Sequence, residues 1–210
     1  MLQILITDDH AVIRQGLKQI LLDGFGKVEV AEAKNAQEAL DQIWKKELDA
    51  VVMDITMPGR SGLDVLREIK SARPKLPVLF LSMHEEDQFA VRALKAGAAG
   101  FITKECAPQE LVNALKKVLT GGKYVSSSLA QQLANDLAAD TRKPLHETLS
   151  DREYQVMCRI GAGKSATQIA QELALSIKTI STYRTRILEK MSMKTNAELT
   201  RYAIKNNLVD

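Results

Sequence analysis

Cysteine is scarce in this 210-residue chain, and long apolar runs are missing. The two cysteines, Cys106 and Cys158, stand far apart without a CxxC spacing or a histidine partner, which argues against a disulfide framework and a zinc site. We expect both to be ordinary packing thiols. No stretch of about 18 apolar residues occurs, and the first residues carry neither a basic leader nor a small-residue cleavage site, so we expect a cytoplasmic protein without membrane contact.

A net charge is missing from most of the chain. Residues 1–146 balance their basic and acidic side chains, and the whole net charge of +3 comes from residues 147–210. A basic C-terminal segment is suited to contact phosphates, although a solvated helix surface gives the same count.

Five segments in the first 120 residues read as β-strands, and each is followed by a segment with helical periodicity. The strands are predicted at residues 2–7, 28–33, 50–53, 77–81 and 100–103. This alternation predicts an α/β fold with a doubly wound, five-stranded parallel sheet in the order 2-1-3-4-5. In such sheets the ligand site lies at the carboxyl ends of the strands.

The pattern changes after residue 120. A Gly- and Ser-rich break precedes a short helical pattern at residues 129–139, and a second break follows it. From Leu149 onward strand signals vanish, and Ser150 and Glu153 form a capping box that starts a helical region. We therefore divide the chain into an α/β domain at 1–120, a linker with a short helix at 121–146 and a small all-α, four-helix domain at 147–210.

Polar side chains follow four of the predicted strands: Asp8 and Asp9, Asp54, Ser82 and Lys104. Three carboxylates brought within a few ångströms would repel one another, and Mg²⁺ favours a few carboxylates together with waters and phosphate oxygens. A carboxylate beside such a metal can attack phosphorus to form an aspartyl-phosphate. Lys104 would supply an ammonium that neutralises the developing charge, and Ser82 a hydroxyl donor.

Two neighbouring motifs are interpreted as structural. His10 follows the acidic pair and is expected to start a helix at the rim of the site rather than to act as a base or ligand. Gly161-Ala162-Gly163-Lys164-Ser165 ends like a phosphate-binding loop, but the required first glycine is Cys158 and a helix precedes the motif instead of a strand.

The residues of the acidic site resemble the receiver domain of two-component response regulators, over roughly residues 1–120. The matching motifs are Asp8-Asp9, Asp54-Ile55-Thr56-Met57-Pro58-Gly59, Ser82 and Gly100-Phe101-Ile102-Thr103-Lys104. The resemblance implies that Asp54 accepts a phosphoryl group from a sensor histidine kinase. It also implies that Mg²⁺ is held by Asp9, Asp54 and the Thr56 carbonyl, with Asp8 assisting through water.

The resemblance further implies a conformational switch at Ser82 and Phe101. In the family the hydroxyl moves toward the phosphoryl group and the aromatic ring turns inward behind it. Phe101 stands where many receivers have tyrosine, so no phenolic hydroxyl takes part here.

Two helical patterns in residues 164–181 meet at Ala174-Leu175-Ser176, a spacing that predicts a helix-turn-helix. At 100° per residue the second helix has an apolar and a polar side. The apolar side is predicted to hold Ile177, Ile180, Ile187, Leu188 and Met191, and the polar side Lys178, Ser181, Thr182, Thr185 and Arg186.

Motifs at 149–153, 169–170, 178–180 and 190–191 resemble the LuxR-type DNA-binding domain. With the receiver they match the NarL/FixJ family of transcriptional regulators. The resemblance implies promoter DNA as a partner and a dimer contact through the last helix, with half-sites about one helical turn apart. Arg184 is expected on the packed side. Base contacts are expected from Ser181, Thr182 and Thr185, and phosphate contacts from Lys178, Thr179, Arg186 and Lys190.

Three functions remain open from the sequence. A phosphorylation-controlled transcription factor, homodimeric when phosphorylated or DNA-bound and not a turnover enzyme, explains both halves of the chain. A signalling adaptor without DNA binding is the second, because Ser181 replaces a lysine common in relatives. A Mg²⁺-dependent phosphohydrolase with the helical domain as a lid leaves the helix-turn-helix unexplained.

Overall fold

The computed structural model describes residues 1–57, 59–83, 88–126, 129–131, 144–206 and 208–209, with Gln88 described by its backbone alone. The chain divides into two compact units, Met1–Ala138 and Ala139–Asp210. Within the described ranges, no helix is both long and apolar enough to cross a membrane.

The first unit is built on a parallel sheet of five strands in the order β2-β1-β3-β4-β5. This confirms the predicted fold and strand order. The strands are β1 (Leu2–Thr7), β2 (Val28–Ala33), β3 (Ala50–Asp54), β4 (Val78–Ser82) and β5 (Gly100–Thr103).

Five helices accompany the strands in strict alternation: α1 (Ala11–Phe25), α2 (Ala36–Lys45), α3 (Gly62–Ala72), α4 (Gln88–Lys95) and α5 (Ala107–Leu119). Every residue of β3 and β4 is buried, as expected for central strands of a parallel sheet. One core cluster joins strand side chains such as Ile4, Val52 and Leu81 to Leu17 of α1 and Leu111 of α5. A fully buried leucine contributes about 1.5–3 kcal/mol relative to an exposed one, so this packing fixes α1 and α5 on the sheet.

The register of the strands brings their polar ends to one level. Thr7 pairs with Met53, Asp54 with Leu81, and Ser82 with Thr103. Asp54 and Ser82 are therefore the last residues of β3 and β4, whereas the sequence pattern placed them just beyond the strands. The ladder continues past Asp54, since the Ile55 N–H donates to the Leu81 carbonyl at 3.0 Å.

The cysteines differ in environment. Cys106 is exposed and Cys158 is partly buried. The prediction of a packed thiol is therefore wrong for Cys106, which occupies the residue before α5, at the surface where that helix starts.

The predicted linker helix at 129–139 is described only at residues 129–131, which are helical. Residues 132–139 lie outside the described residues.

The described part of the second unit begins with a 3₁₀ turn (Leu145–Thr148) and contains four helices: α6 (Asp151–Gly161), α7 (Ala166–Glu172), α8 (Ile177–Lys190) and α9 (Asn196–Lys205). Each α-helix is capped by a side-chain oxygen that accepts a backbone N–H three residues on; the caps are Ser150, Ser165, Ser176 and Thr195. Ser150 and Glu153 form the predicted capping box. Ala174 adopts φ 50° in the tight turn between α7 and α8.

Candidate functional site

The carboxylates predicted from the strand ends converge at the carboxyl edge of the sheet. Asp8, Asp9, His10 and Asp54 each offer a ligand atom, and these atoms all lie within 4.8 Å of one another. Asp8, which follows β1, and Asp54, which ends β3, are buried, at 0% and 3% exposure. The donor set is rich in hard oxygen atoms, so it is compatible with Mg²⁺.

Lys104 lies between the two buried carboxylates. Its Nζ is 2.6 Å from Asp8 Oδ2 and 2.7 Å from Asp54 Oδ2. Although burial disfavours the ammonium, the carboxylates of Asp54 and Asp8 raise the pKa of Lys104 above its ordinary value. The lysine is thus held as a cation where two anionic strand ends meet.

Asp54 is bound on both oxygens. Oδ1 accepts the Thr56 N–H at 3.0 Å, and Oδ2 accepts from Lys104. Burial nevertheless raises the pKa of Asp54 to about 6, against the opposing effect of the Lys104 charge. Three carboxylates face one ammonium at this site, so a divalent cation would remove the remaining excess of negative charge.

Ser82 lies in β4, the strand next to β3 with Asp54, and Phe101 lies in β5, one strand further out. Both are buried, at 1% and 0% exposure. Ser82 ends β4, and its carbonyl accepts the Lys104 N–H at 2.7 Å. The backbone of Ser82 is therefore joined directly to the residue that contacts Asp54.

His10 lies at the rim, as the sequence indicated. It is the residue before α1, and its side chain is 63% exposed, with Nδ1 2.9 Å from Asp9 Oδ1. Its backbone N–H donates to Asp8 Oδ1 at 2.8 Å.

Arg14 is a contributor that the sequence reasoning missed. Its guanidinium donates to the Asp8 carbonyl at 2.8 Å and pairs with Glu32 of β2 at 3.4 Å. This contact braces the loop that carries the acidic pair. The one sequence signal for this role is that Arg14 lies one turn into α1, close to the acidic pair. That spacing does not predict the contact with Glu32 of β2.

The second candidate site is the outer side of α8. Six of the predicted DNA-contacting residues are exposed and Thr179 is partly buried; the exposed ones are Lys178, Ser181, Thr182, Thr185, Arg186 and Lys190. The hydroxyls of Thr182 and Thr185 donate to the carbonyls of Lys178 and Ser181 at 3.0 and 3.1 Å. Their oxygens keep lone pairs that can accept from base amino groups.

The apolar side of α8 differs from the prediction at one residue. Ile180, Ile187, Leu188 and Met191 are buried, but Ile177 is 51% exposed. Ile177 is the first residue of the helix, so it lies at the edge of the packed stripe, where the core no longer covers it.

Two basic side chains of α8, those of Arg184 and Lys190, bond to other residues of the same domain. Arg184 is partly buried and donates from Nε to Asn196 Oδ1 at 2.6 Å, as expected for the packed side. Lys190 Nζ lies 2.6 Å from Glu153 Oε2, which also accepts the Ser150 N–H of the capping box. Lys190 is thus fixed at one end of α8.

Comparison with known proteins yields a family match for each unit. The family model described as the response regulator receiver domain matches residues 4–116. The model of the bacterial regulatory proteins, luxR family, matches residues 147–203.

Similar proteins extend over the whole chain. The response regulator UvrY of Escherichia coli (strain K12) is 35% identical over 209 residues, covering 99% of this chain and 96% of UvrY. The response regulator GacA of Pseudomonas viridiflava is 36% identical over 211 residues, covering 100% and 99%. The structure of RcsB from Salmonella enterica serovar Typhimurium bound to promoter rprA, in the presence of phosphomimetic BeF3⁻, matches with a TM-score of 0.64 at 25% identity, covering 96% of this chain and 98% of RcsB.

Proposed function

The chain belongs to the NarL/FixJ family of two-component response regulators, which join a receiver domain to a LuxR-type DNA-binding domain and regulate transcription, and from this premise we propose that phosphorylation of Asp54 controls its binding to promoter DNA. We assign the receiver to residues 1–120, the linker to 121–146 and the DNA-binding domain to 147–210. The protein acts in the cytoplasm, where its DNA target lies.

The observation that carries the proposal is the position of Lys104 Nζ, within 2.7 Å of both Asp8 and Asp54. A carboxylate oxygen of Asp54 attacks the phosphorus of a phosphohistidine on the sensor kinase. The new O–P bond forms as the N–P bond breaks, and the imidazole leaves. Lys104 stabilises the negative charge on the phosphoryl oxygens, and Ser82 donates a hydrogen bond to them.

Asp9, Asp54 and the Thr56 carbonyl are proposed to hold Mg²⁺, with Asp8 assisting through water. The ion, when bound, supplies charge neutralisation for the phosphoryl oxygens. Asp54 must be ionised to attack. A nearby cation favours that form against the burial that raises its pKa.

The result of phosphorylation is a changed conformation of the receiver, and no compound other than the donor's leaving group is released. We propose that Ser82 moves toward the phosphoryl group and Phe101 turns inward, as in related receivers. Ser82 ends β4 and Phe101 lies in β5, so a movement of these two side chains affects both strands. The reaction is a single self-modification followed by slow self-dephosphorylation, and the protein is not a turnover enzyme.

The DNA-binding step is assigned to α8. Ser181, Thr182 and Thr185 contact base edges, while Lys178, Thr179, Arg186 and Lys190 contact phosphates. The exposure of this side of α8 and the DNA-bound structures of RcsB support the assignment.

We propose that two copies bind together when the protein is phosphorylated or DNA-bound. In α9, Leu199 and Ala203 pack inside the domain, while Ile204 is 54% exposed. An apolar side chain on this last helix suits a contact between two copies, which would set two recognition helices about one helical turn apart. A structure of RcsB dimers on DNA supports this arrangement.

The phosphorylation proposal is tested by intact-mass analysis after incubation with acetyl phosphate and Mg²⁺. Wild type is expected to gain one phosphoryl group and Asp54→Asn none. Asp64→Asn removes a carboxylate of α3 whose side chain is 40% exposed, and it serves as the matched control, which should be phosphorylated like wild type. Equal addition to Asp54→Asn would place the nucleophile elsewhere.

The proposal that phosphorylation controls binding to promoter DNA is tested by genome-wide DNA capture with wild type and Asp54→Asn. Phosphorylated wild type is expected to enrich promoter fragments that the variant does not. An adaptor would enrich none in either form, and a phosphohydrolase would release far more phosphate from small esters than there is protein.

A further inference from the structure

The residues that follow α5 extend the receiver sheet beyond its edge strand. Gly121, with φ 84°, and Gly122 turn the chain back, and their N–H groups bond to the carbonyls of Val118 and Lys117. Tyr124 then forms a parallel bridge with Gly100 of β5. The Gly-rich break in the sequence is thus the turn into a short stretch, residues 123–124, that bridges the edge strand β5.

Three hydrogen bonds join this stretch to β5 and the residues before it. The Tyr124 N–H donates to the Ala99 carbonyl at 2.9 Å, and the Phe101 N–H donates to the Tyr124 carbonyl at 3.2 Å. Lys123 Nζ donates to the Ala98 carbonyl at 2.5 Å. Edge strands expose such backbone groups, and here the start of the linker pairs with them.

Glycine at position 100 makes this approach possible. A Cβ there would lie 2.6 Å from the Tyr124 carbonyl oxygen and 3.0 Å from Tyr124 Cβ. Tyr124 itself packs against the core cluster on the α1 and α5 side of the sheet. An aromatic residue thus covers an edge glycine, an arrangement that stabilises sheet edges.

Phe101 is bonded to Tyr124 through its backbone, while its side chain faces the other side of the sheet from the α1 and α5 core. Ile102 belongs to the core on the α1 and α5 side, and successive side chains of a strand alternate, so Phe101 faces the opposite side of the sheet. Its backbone N–H is held by Tyr124. Because the rotamers open to a side chain depend on its backbone angles, a hold on the Phe101 backbone bears on the states of its ring.

We propose that Tyr124 is a positioning residue of the receiver switch, whose main chain holds the Phe101 backbone and carries a change at Phe101 into the linker. This inference rests on the proposed function, because it takes Asp54 phosphorylation and Phe101 as the origin of the change. The path is short. Tyr124 is bonded directly to the switch residue and lies in the segment that leads out of the receiver.

Two variants of the full chain break the contact in different ways. Gly100→Ala pushes on the Tyr124 carbonyl at 2.6 Å and also on Leu79 Cδ1 at 2.9 Å, and Tyr124→Pro removes the N–H that bonds to Ala99. Tyr124→Phe keeps the main chain and the ring, so it should behave as wild type. Gly16→Ala, a helical glycine with nothing within 4 Å of the added methyl, controls for glycine replacement.

The first readout is the gain in affinity for captured promoter DNA on phosphorylation. For wild type, Tyr124→Phe and Gly16→Ala we expect a gain in the range of allosteric couplings, about 5–150-fold. For Gly100→Ala and Tyr124→Pro the gain should approach unity while intact-mass analysis still shows phosphorylation of Asp54. A purely structural role would lower phosphorylation and leave the gain unchanged.

The second readout is backbone hydrogen exchange of the receiver with and without beryllofluoride and Mg²⁺. In wild type the exchange of peptides containing Phe101 and Tyr124 should change together, and in Tyr124→Pro the change should remain at Phe101 but vanish at residues 123–126. If both Gly100→Ala and Tyr124→Pro gain as much affinity for DNA on phosphorylation as wild type does, the inference about Tyr124 is wrong while the proposed function stands. Wild type that takes no phosphoryl group on Asp54 overturns the proposed function as well.

Discussion

At the scale of single residues, the acidic site balances opposing electrostatic effects. Burial raises the pKa of Asp54 to about 6, although Lys104 lies 2.7 Å from its Oδ2. An ionised Asp54 is therefore costly for the metal-free protein, and the site is adapted to function rather than to stability.

Replacing Asp54 with Asn is expected to stabilise the metal-free protein above pH 6. The folded pKa of about 6 exceeds the ordinary value of 3.8, so the native state binds more protons and loses stability as pH rises from about 4 to 6. Removing the carboxyl should recover about 1–3 kcal/mol at pH 8 and much less at pH 4.5. Urea unfolding in the presence of a chelator measures this difference.

Asp64→Asn, at a carboxylate that is 40% exposed, serves as the control and should show no such pH dependence. Mg²⁺ should narrow the gap between wild type and Asp54→Asn at pH 8, because a ligand of the native state stabilises it. A loss of stability in Asp54→Asn at pH 8 without metal would contradict the argument.

At the scale of elements, α8 buries an apolar side in the domain core and exposes a polar side. Its buried stripe begins at Ile180, one turn later than the hydrophobic pattern predicts, because Ile177 lies at the helix start. The cap at Ser176 fixes that start by accepting the Thr179 N–H at 3.0 Å.

The two isoleucines are expected to respond differently to truncation. Ile180→Ala should destabilise the DNA-binding domain by about 2–5 kcal/mol, because it leaves a cavity in a closed core. Ile177→Ala should change the stability by no more than about 0.5 kcal/mol, since its side chain is half exposed. Chemical denaturation followed by helical circular dichroism measures both; similar losses would mean that Ile177 is covered in solution.

At the scale of the whole molecule, charge and chemistry are divided between the two units. The acidic site, where we propose phosphorylation, lies in the first unit, and the net positive charge comes from residues 147–210. The region that must approach DNA therefore carries the excess of cations, while the receiver sequence is balanced.

Binding of the full-length protein to a captured promoter should weaken steeply with salt, because contacts to phosphates release counterions. Arg186→Ala should weaken binding and reduce the slope of log affinity against log salt by about 1 per protomer. Lys194→Ala removes the same charge outside α8 and should leave most of the slope intact. Equal effects of the two variants would mean that net charge, rather than α8, determines binding.

Much of this architecture could be predicted from local patterns. The five strands and the four C-terminal helices follow from alternation, periodicity and caps such as Ser150 with Glu153. These signals act over a few residues, so they are readable in one segment at a time. The acidic residues could be grouped because parallel strands end at a common edge.

The sequence alone determined the types and order of the elements and the chemical groups at the strand ends, because these depend on short-range preferences. Only the tertiary structure decided which atoms meet: Lys104 between Asp8 and Asp54, Arg14 on the Asp8 carbonyl, and Tyr124 on Phe101. Such contacts join residues far apart in the chain or across a turn, so they depend on strand register and on packing. The same reason explains Ile177, whose exposure is set by where the core ends and not by its hydrophobicity.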